Sequence, residues 1–250
     1  MDMPLDFPDV ARPLDLRILS LPGPLTITVL APHPDDFDAV AVTLRHFHLR
    51  GDTIHLAVLT TGASGVEDGY AGATTDEQKA ALREGEQTAS CAFFGLPLDR
   101  LTFLRLPPDD KGNPRLDEGN QARIRDYLAA RRPDLVFMPH GNDSNVTHQR
   151  TYALFRAAML AEKWSAWAFL NKDAKTVTMR TDLCMPFDGE AAAWKAELLR
   201  LHGSQHQRNL NTRGKGFDER VLDLNRKDGT ALQMPHQTPY AEIFELEKFG

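Results

Sequence analysis

Thr26-Ile27-Thr28-Val29-Leu30 is a short β-branched apolar run that passes through Ala31-Pro32-His33-Pro34-Asp35-Asp36 into a helical spacing from Phe37 to Arg50. The run reads as a buried strand, and Val40, Leu44 and Phe47 fall on one face of the helix after it. The same alternation continues outward. Thr53 to Leu59 is a second strand. Thr75 to Gly95 is a long helix, with Thr75 and Gln78 spaced for a capping box and Gly95 at its C-terminal end. Leu101 to Leu106 is a third strand, Asn120 to Arg131 a helix, Asp134 to Met138 a fourth strand after Pro133, and Thr147 to Ala161 a helix. Strands alternating with helices predict an α/β fold that is Rossmann-like, with a mostly parallel sheet and helices on both faces.

Beyond residue 161 the pattern changes. Val177 to Met185 reads as a strand, Gly189 to His202 as a helix and Tyr240 to Leu246 as a last strand. These form a C-terminal extension with additional strands. Residues 1–23 carry four prolines and little periodicity, so an irregular surface arm is expected. Residues 203–237 are polar and rich in Arg, Asn and Gly, and are expected to form a loop region near a pocket. The whole, 1–250, is expected to be a single domain.

Composition excludes several classes. Of the 250 residues 42% are hydrophobic and 26% charged, an ordinary balance for a globular chain. A net charge of -6 would repel nucleic acid and anionic lipid, so no nucleic-acid partner is expected. No apolar run is long enough for a membrane span. The acidic start Met1-Asp2-Met3-Pro4-Leu5-Asp6 lacks the basic opening and apolar core of a signal peptide, and a cytoplasmic location is expected. Cys91 and Cys184 are the only cysteines, too few for a disulfide framework or a Cys-rich zinc site. A metal site must therefore be built from His, Asp and Glu.

Two segments carry such residues. In an open parallel sheet, ligands bind at the carboxyl ends of strands. His33 and Asp36 lie there, after the first strand, three apart with Pro34 restricting the loop between them. Spacing alone also allows Asp36 to cap the helix while His33 packs. After the fourth strand comes Pro139-His140-Gly141-Asn142-Asp143-Ser144-Asn145-Val146-Thr147-His148, again running into a helix. His33, Asp36 and His148 together make two histidines and one carboxylate, a donor set that leaves a zinc coordination position open for water.

The chain here resembles the zinc-dependent LmbE-like deacetylases, the family that includes the N-acetylglucosaminyl-phosphatidylinositol de-N-acetylase (PIG-L). Their first motif, A-H-P-D-D-E, is met by Pro32-His33-Pro34-Asp35-Asp36-Phe37, and their D-x-H-P-D-H by Asp143-Ser144-Asn145-Val146-Thr147-His148. Further matches are Thr61-Gly62 with Gly65, Arg83 with Glu86, Pro133 to Val136, and Lys195 followed by His202-Gly203-Ser204-Gln205. The resemblance implies one Zn²⁺ held by His33, Asp36 and His148, with Fe²⁺ accepted by the same donors. It also implies Asp35 as general base. Two positions depart from the pattern: Phe37 replaces a glutamate, with Asp38 beside it, and Asn145 replaces a histidine. Asn145 can donate to an oxyanion but cannot act as an acid. Arg83, His140, Asp143, His202 and Gln205 are candidate substrate contacts.

The implied reaction removes an acetyl or other acyl group from the amide nitrogen of a small substrate, an N-acetylated sugar conjugate such as an N-acetylglucosamine derivative. The alternatives are an amidase acting on a conjugated thiol and a non-catalytic carbohydrate-binding relative. A homo-oligomer is compatible with the sequence.

Overall fold

The computed structural model describes residues 5–8 and 10–250. Eight strands make one sheet: β1 (Leu14–Asp15), β2 (Thr26–Ala31), β3 (Thr53–Val58), β4 (Leu101–Phe103), β5 (Leu135–Pro139), β6 (Ala166–Asn171), β7 (Leu183–Phe187) and β8 (Tyr240–Phe249). Their order is β1-β7-β8-β6-β5-β2-β3-β4. Every pairing is parallel except those of β8, which runs antiparallel to both β6 and β7. Seven α-helices accompany the sheet: α1 (Ala41–Arg50), α2 (Asp76–Phe94), α3 (Glu118–Arg131), α4 (Val146–Glu162), α5 (Gly189–Arg200), α6 (Gly203–Arg213) and α7 (Phe217–Ala231).

Period-two alternation assigns each strand's side chains to two cores. Ile27, Val29, Ile54, Leu56, Leu135 and Phe137 point to one face, where they meet Leu44 and Phe47 of α1 and Cys91 and Phe94 of α2. Leu30, Ala57, Val136 and Met138 point to the other, against Ile124 and Leu128 of α3 and Leu154 and Phe155 of α4. The sheet is therefore covered on both faces, as the nearly continuous apolar runs of β2 and β5 require.

Helix ends follow local chemistry. Thr75 and Gln78 form the expected capping box at the start of α2, and Gly95 closes that helix in a left-handed conformation at φ 90°. Gly51 closes α1 in the same way at φ 91°. The α3, α4 and α5 helices are capped by Asp117, Asn145 and Asp188.

Three expectations need correction. The arm over 1–23 is not wholly irregular, since β1 adds an edge strand beside β7 and Leu16 is buried. The strand expected over 177–185 is confined to Leu183–Phe187, while β6 supplies a strand that periodicity did not reveal. Its Ala166, Ala168, Phe169 and Leu170 are buried on both faces, so it has no alternation to read. The segment 203–237 is mostly helical. Its α6 helix buries Ser204, Gln205 and Asn209 rather than an apolar stripe, which hides it from a hydrophobic-period search.

Candidate metal centre

The strands β4-β3-β2-β5-β6 follow the 3-2-1-4-5 order of doubly wound sheets, with connections leaving β2 and β5 in opposite directions. The crevice at that switch point is where open α/β sheets bind ligands. The loop after β2 carries His33, Asp35 and Asp36, and the loop after β5 leads to His148 on the first turn of α4. All four border one cavity of about 280 Å³ at this edge.

His33, Asp36 and His148 offer donor atoms within 4.8 Å of one another. The backbone N–H of His33 donates to Asp36 Oδ2 at 2.7 Å, which draws the loop into one tight turn. His33 Nδ1 stands 3.1 Å from the same oxygen. His148 Nε2 stands 3.6 Å from Asp36 Oδ1, too far for a good hydrogen bond. Burial pushes the Asp36 carboxyl up, but the facing His148 and His33 outweigh it and hold the group far below the usual carboxylate range. Burial lowers the proton affinity of His148, yet Asp36 and Asp143 raise it above the ordinary value. The site thus favours a cation between these groups. Two imidazoles and a carboxylate, of which only His33 and Asp36 lie within hydrogen-bond distance of each other, fit a divalent metal with room for water or substrate.

Behind His148 stands Asp143. Its side chain is fully buried, with Oδ2 3.3 Å from His148 Nδ1. The ring sits with Nδ1 toward Asp143 and Nε2 toward Asp36, the orientation that outer-shell carboxylates give metal-bound histidines. Asp143, expected as a substrate contact, does not border the cavity and faces the histidine from behind. Asp143→Asn is expected to weaken metal binding by roughly 10- to 100-fold. Competition with a chelating dye measures this; an unchanged affinity would remove Asp143 from the role.

Asp35 has an unusual backbone, with φ 122°, rare for any residue but glycine. Such strain persists only where the surroundings hold it. Here the Asp35 N–H donates to Gln87 Oε1 at 3.0 Å, and Arg83 Nη2 lies 3.1 Å from Asp35 Oδ2. Arg83 also donates to the carbonyl of Pro34. Arg83 is 2% exposed. Gly62, at φ 63°, makes room for it, since a Cβ there would lie 3.1 Å from Arg83 Nε. Arg83 borders the cavity but mainly clamps Asp35.

The other sequence candidates separate. Asn145 borders the cavity, and its Oδ1 caps α4 by accepting from Thr147 N–H at 3.0 Å. That leaves its Nδ2 donors for a ligand. Gln205 also borders the cavity and donates to the Gly65 carbonyl at 2.9 Å. His140 does not line it; its Nδ1 accepts from Asn142 N–H and its Nε2 lies 3.3 Å from Glu245. His202, expected as a substrate contact, is fully buried away from the cavity, with Nε2 2.6 Å from Asp38 Oδ2. Asp38 in turn accepts from Ser90 Oγ and Gln87 Nε2. His202 thus supports the Asp35 loop through Asp38 and Gln87. Phe37 fills the core against Phe94, with ring centroids 5.0 Å apart, so Asp38 rather than its neighbour carries the charge at this turn. Asp173, Lys175 and Arg220 also line the cavity and were not singled out in the sequence. No local motif marks them, because β6 was not read as a strand and α7 not as a helix.

The fold is shared with solved structures. It is similar to N,N'-diacetylchitobiose deacetylase from Pyrococcus horikoshii, with a TM-score of 0.72 and 17% identity over 88% of this chain and 83% of that one. It is also similar to GalB, the 4-carboxy-2-hydroxymuconate hydratase of Pseudomonas putida KT2440, with a TM-score of 0.67 and 17% identity over 88% of this chain and 95% of that one. A glucosamine-6-phosphate deaminase-like protein of Bacteroides thetaiotaomicron is 24% identical over 84% of this chain, which spans 40% of that relative's length. Among the described residues no helix is long and apolar enough to cross a membrane. The family model of PIG-L, GlcNAc-PI de-N-acetylase, matches residues 28–159, more than half of the chain, and the protein belongs to this family.

Proposed function

We propose that the chain, acting as one domain over 1–250, is a zinc-dependent hydrolase that removes the acetyl group of a small N-acetylated amino-sugar conjugate. The observation that carries this reading is the strained Asp35 beside the converging His33, Asp36 and His148. A divalent cation held by those three donors supplies Lewis acidity toward an amide carbonyl. Asp35, held by Arg83 and Gln87 at the cavity, takes the proton of an attacking water. The Nδ2 donors of Asn145 stabilise charge developing on the carbonyl oxygen, a contribution of about 3 kcal/mol for one such donor. Asp35 then returns its proton to the departing nitrogen. The products are acetate and a free amine.

Acetate release from a panel of N-acetylated amino sugars, with metal counted by elemental analysis, tests the reading. Activity is expected to track bound zinc, to vanish on chelation and to return when zinc is restored. Full activity in the metal-free protein, or no acetate from any member of the panel, would overturn it. A binding protein has no use for a base held at a strained φ, which weighs against the non-catalytic alternative.

A further inference from the structure

The cavity has two unlike walls. One carries the metal donors and Asp35. The other, built by α6 and α7, is basic: Arg208 and Arg220 border it, and Lys175, on the turn after β6, also lines the cavity. Of the carboxylates in the first turn of α7, Asp218 is already held by Arg200 at 2.7 Å and faced by His206 at 3.2 Å, and Glu219 accepts from Gly216 N–H at 2.7 Å. Asp173, also in the lining, accepts from the Lys175 N–H at 2.9 Å and has an oxygen within 4.8 Å of the His148 and Asp143 donors, so its charge stands on the metal-donor side of the turn. Among the described residues, Arg208, Arg220 and Lys175 form no ion pair. Arg208 makes one long hydrogen bond, 3.3 Å to the Gly65 carbonyl. Arg220 Nε is buried and has no acceptor. Its guanidinium lies over the Phe217 ring, 5.5 Å from the centroid, which limits its freedom.

A half-buried guanidinium with an unsatisfied N–H is costly unless something completes it. In a chain of net charge -6, three cations without ion pairs lining the reactive cavity are not average surface. We infer that this wall is an anion subsite, and that the substrate is an N-acyl amine bearing a carboxylate or phosphate held by Arg220 and Arg208, with Lys175 at the rim. Guanidinium groups suit both anions through paired N–H donors. The inference rests on the amide-hydrolase reading above and narrows its substrate class.

The test compares N-acetylglucosamine with N-acetylglucosamine 6-phosphate and N-acetylmuramic acid, which add a phosphate or a carboxylate to the same amide. One anionic substrate is expected to exceed the neutral sugar in kcat/KM by about tenfold or more. Which one wins distinguishes phosphate from carboxylate. Arg220→Gln and Arg208→Gln are each expected to cut that preference ratio about fivefold or more, chiefly through KM. Arg208 is exposed, so its variant keeps the test valid if Arg220→Gln folds poorly. A ratio near one in the parent protein, or a ratio that neither variant changes, overturns the subsite. If no sugar amide is cleaved, the reaction reading fails by itself. Thermal stabilisation by inorganic phosphate or malonate then decides: stabilisation lost in Arg220→Gln supports the subsite, and no stabilisation refutes it.

Discussion

Asp35→Asn is expected to lower kcat for amide hydrolysis about a thousandfold while the metal content stays at the parent level. The two halves of that statement depend on different atoms. Asp35 is not among the converging donors, which are His33, Asp36 and His148. Its carboxylate instead faces Arg83 Nη2 at 3.1 Å, and its N–H is held by Gln87. Asparagine keeps the size of the side chain and tolerates positive φ as well as aspartate does, so the backbone at φ 122° needs no change. What disappears is the ability to take a proton from water. Asp36→Asn gives the contrasting result, because it removes a donor and should empty the site. Single-turnover kinetics paired with elemental analysis would separate the two. If Asp35→Asn kept more than a tenth of the parent rate with metal bound, Asp35 could not be the base. If it lost the metal, base and ligand would be wrongly assigned.

The convergence of His33, Asp36 and His148 was legible because each sits in a local pattern that topology brings together. The β2 run ends at His33-Pro34-Asp35-Asp36 and the β5 run at the segment leading to His148, and parallel pairing of β2 with β5 puts both loops on one edge. Neither step needs long-range side-chain detail. The supporting residues were not legible for the opposite reason. His202 and Asp38 are 164 residues apart in sequence, and only the folded chain shows that they satisfy each other. His202 therefore reads as a polar pocket residue when it is a buried support. The α6 helix was hidden because polar contacts hold it, such as Ser204 Oγ to Glu86 at 2.7 Å and Gln205 to Gly65, while α7, whose buried apolar side chains are Phe217 and Val221 against Leu199, was missed with it. Without those helices, the basic wall of the cavity had no visible scaffold. Asn145 gains a meaning that spacing could not supply, since capping α4 fixes which end of its amide faces the ligand.

Lys195→Met is expected to destabilise the protein by about 3–5 kcal/mol, a large part of a typical domain's stability. Lys195 lies on α5 and is 0% exposed. Its Nζ donates to Ala39 O at 2.6 Å, Glu242 Oε1 at 2.7 Å and Asn225 Oδ1 at 2.8 Å. Burial pulls its pKa below the ordinary lysine value, and the attraction of Glu242 only partly opposes that. Glu242, from β8, spends its other contacts on the start of α1, accepting from Val42 N–H at 3.1 Å and Thr43 N–H at 2.8 Å. Val40 stands at the N-cap of that helix and offers no side-chain cap, so Glu242 does this work from across the fold. Removing Lys195 leaves the carboxylate buried without a counter-charge. The double variant Lys195→Met/Glu242→Gln removes the stranded charge and is expected to recover a substantial part of the loss, because directly paired residues do not act additively. Denaturant midpoints at constant slope measure both. A loss under about 1 kcal/mol in the single variant, or no recovery in the double, would show that the pair is not coupled in this way. The effect should reach the reactive cavity too: Ala39 borders it, three residues after Asp36, and its carbonyl is one of the groups that Lys195 holds. Weaker metal retention in folded Lys195→Met protein would therefore accompany the lost stability.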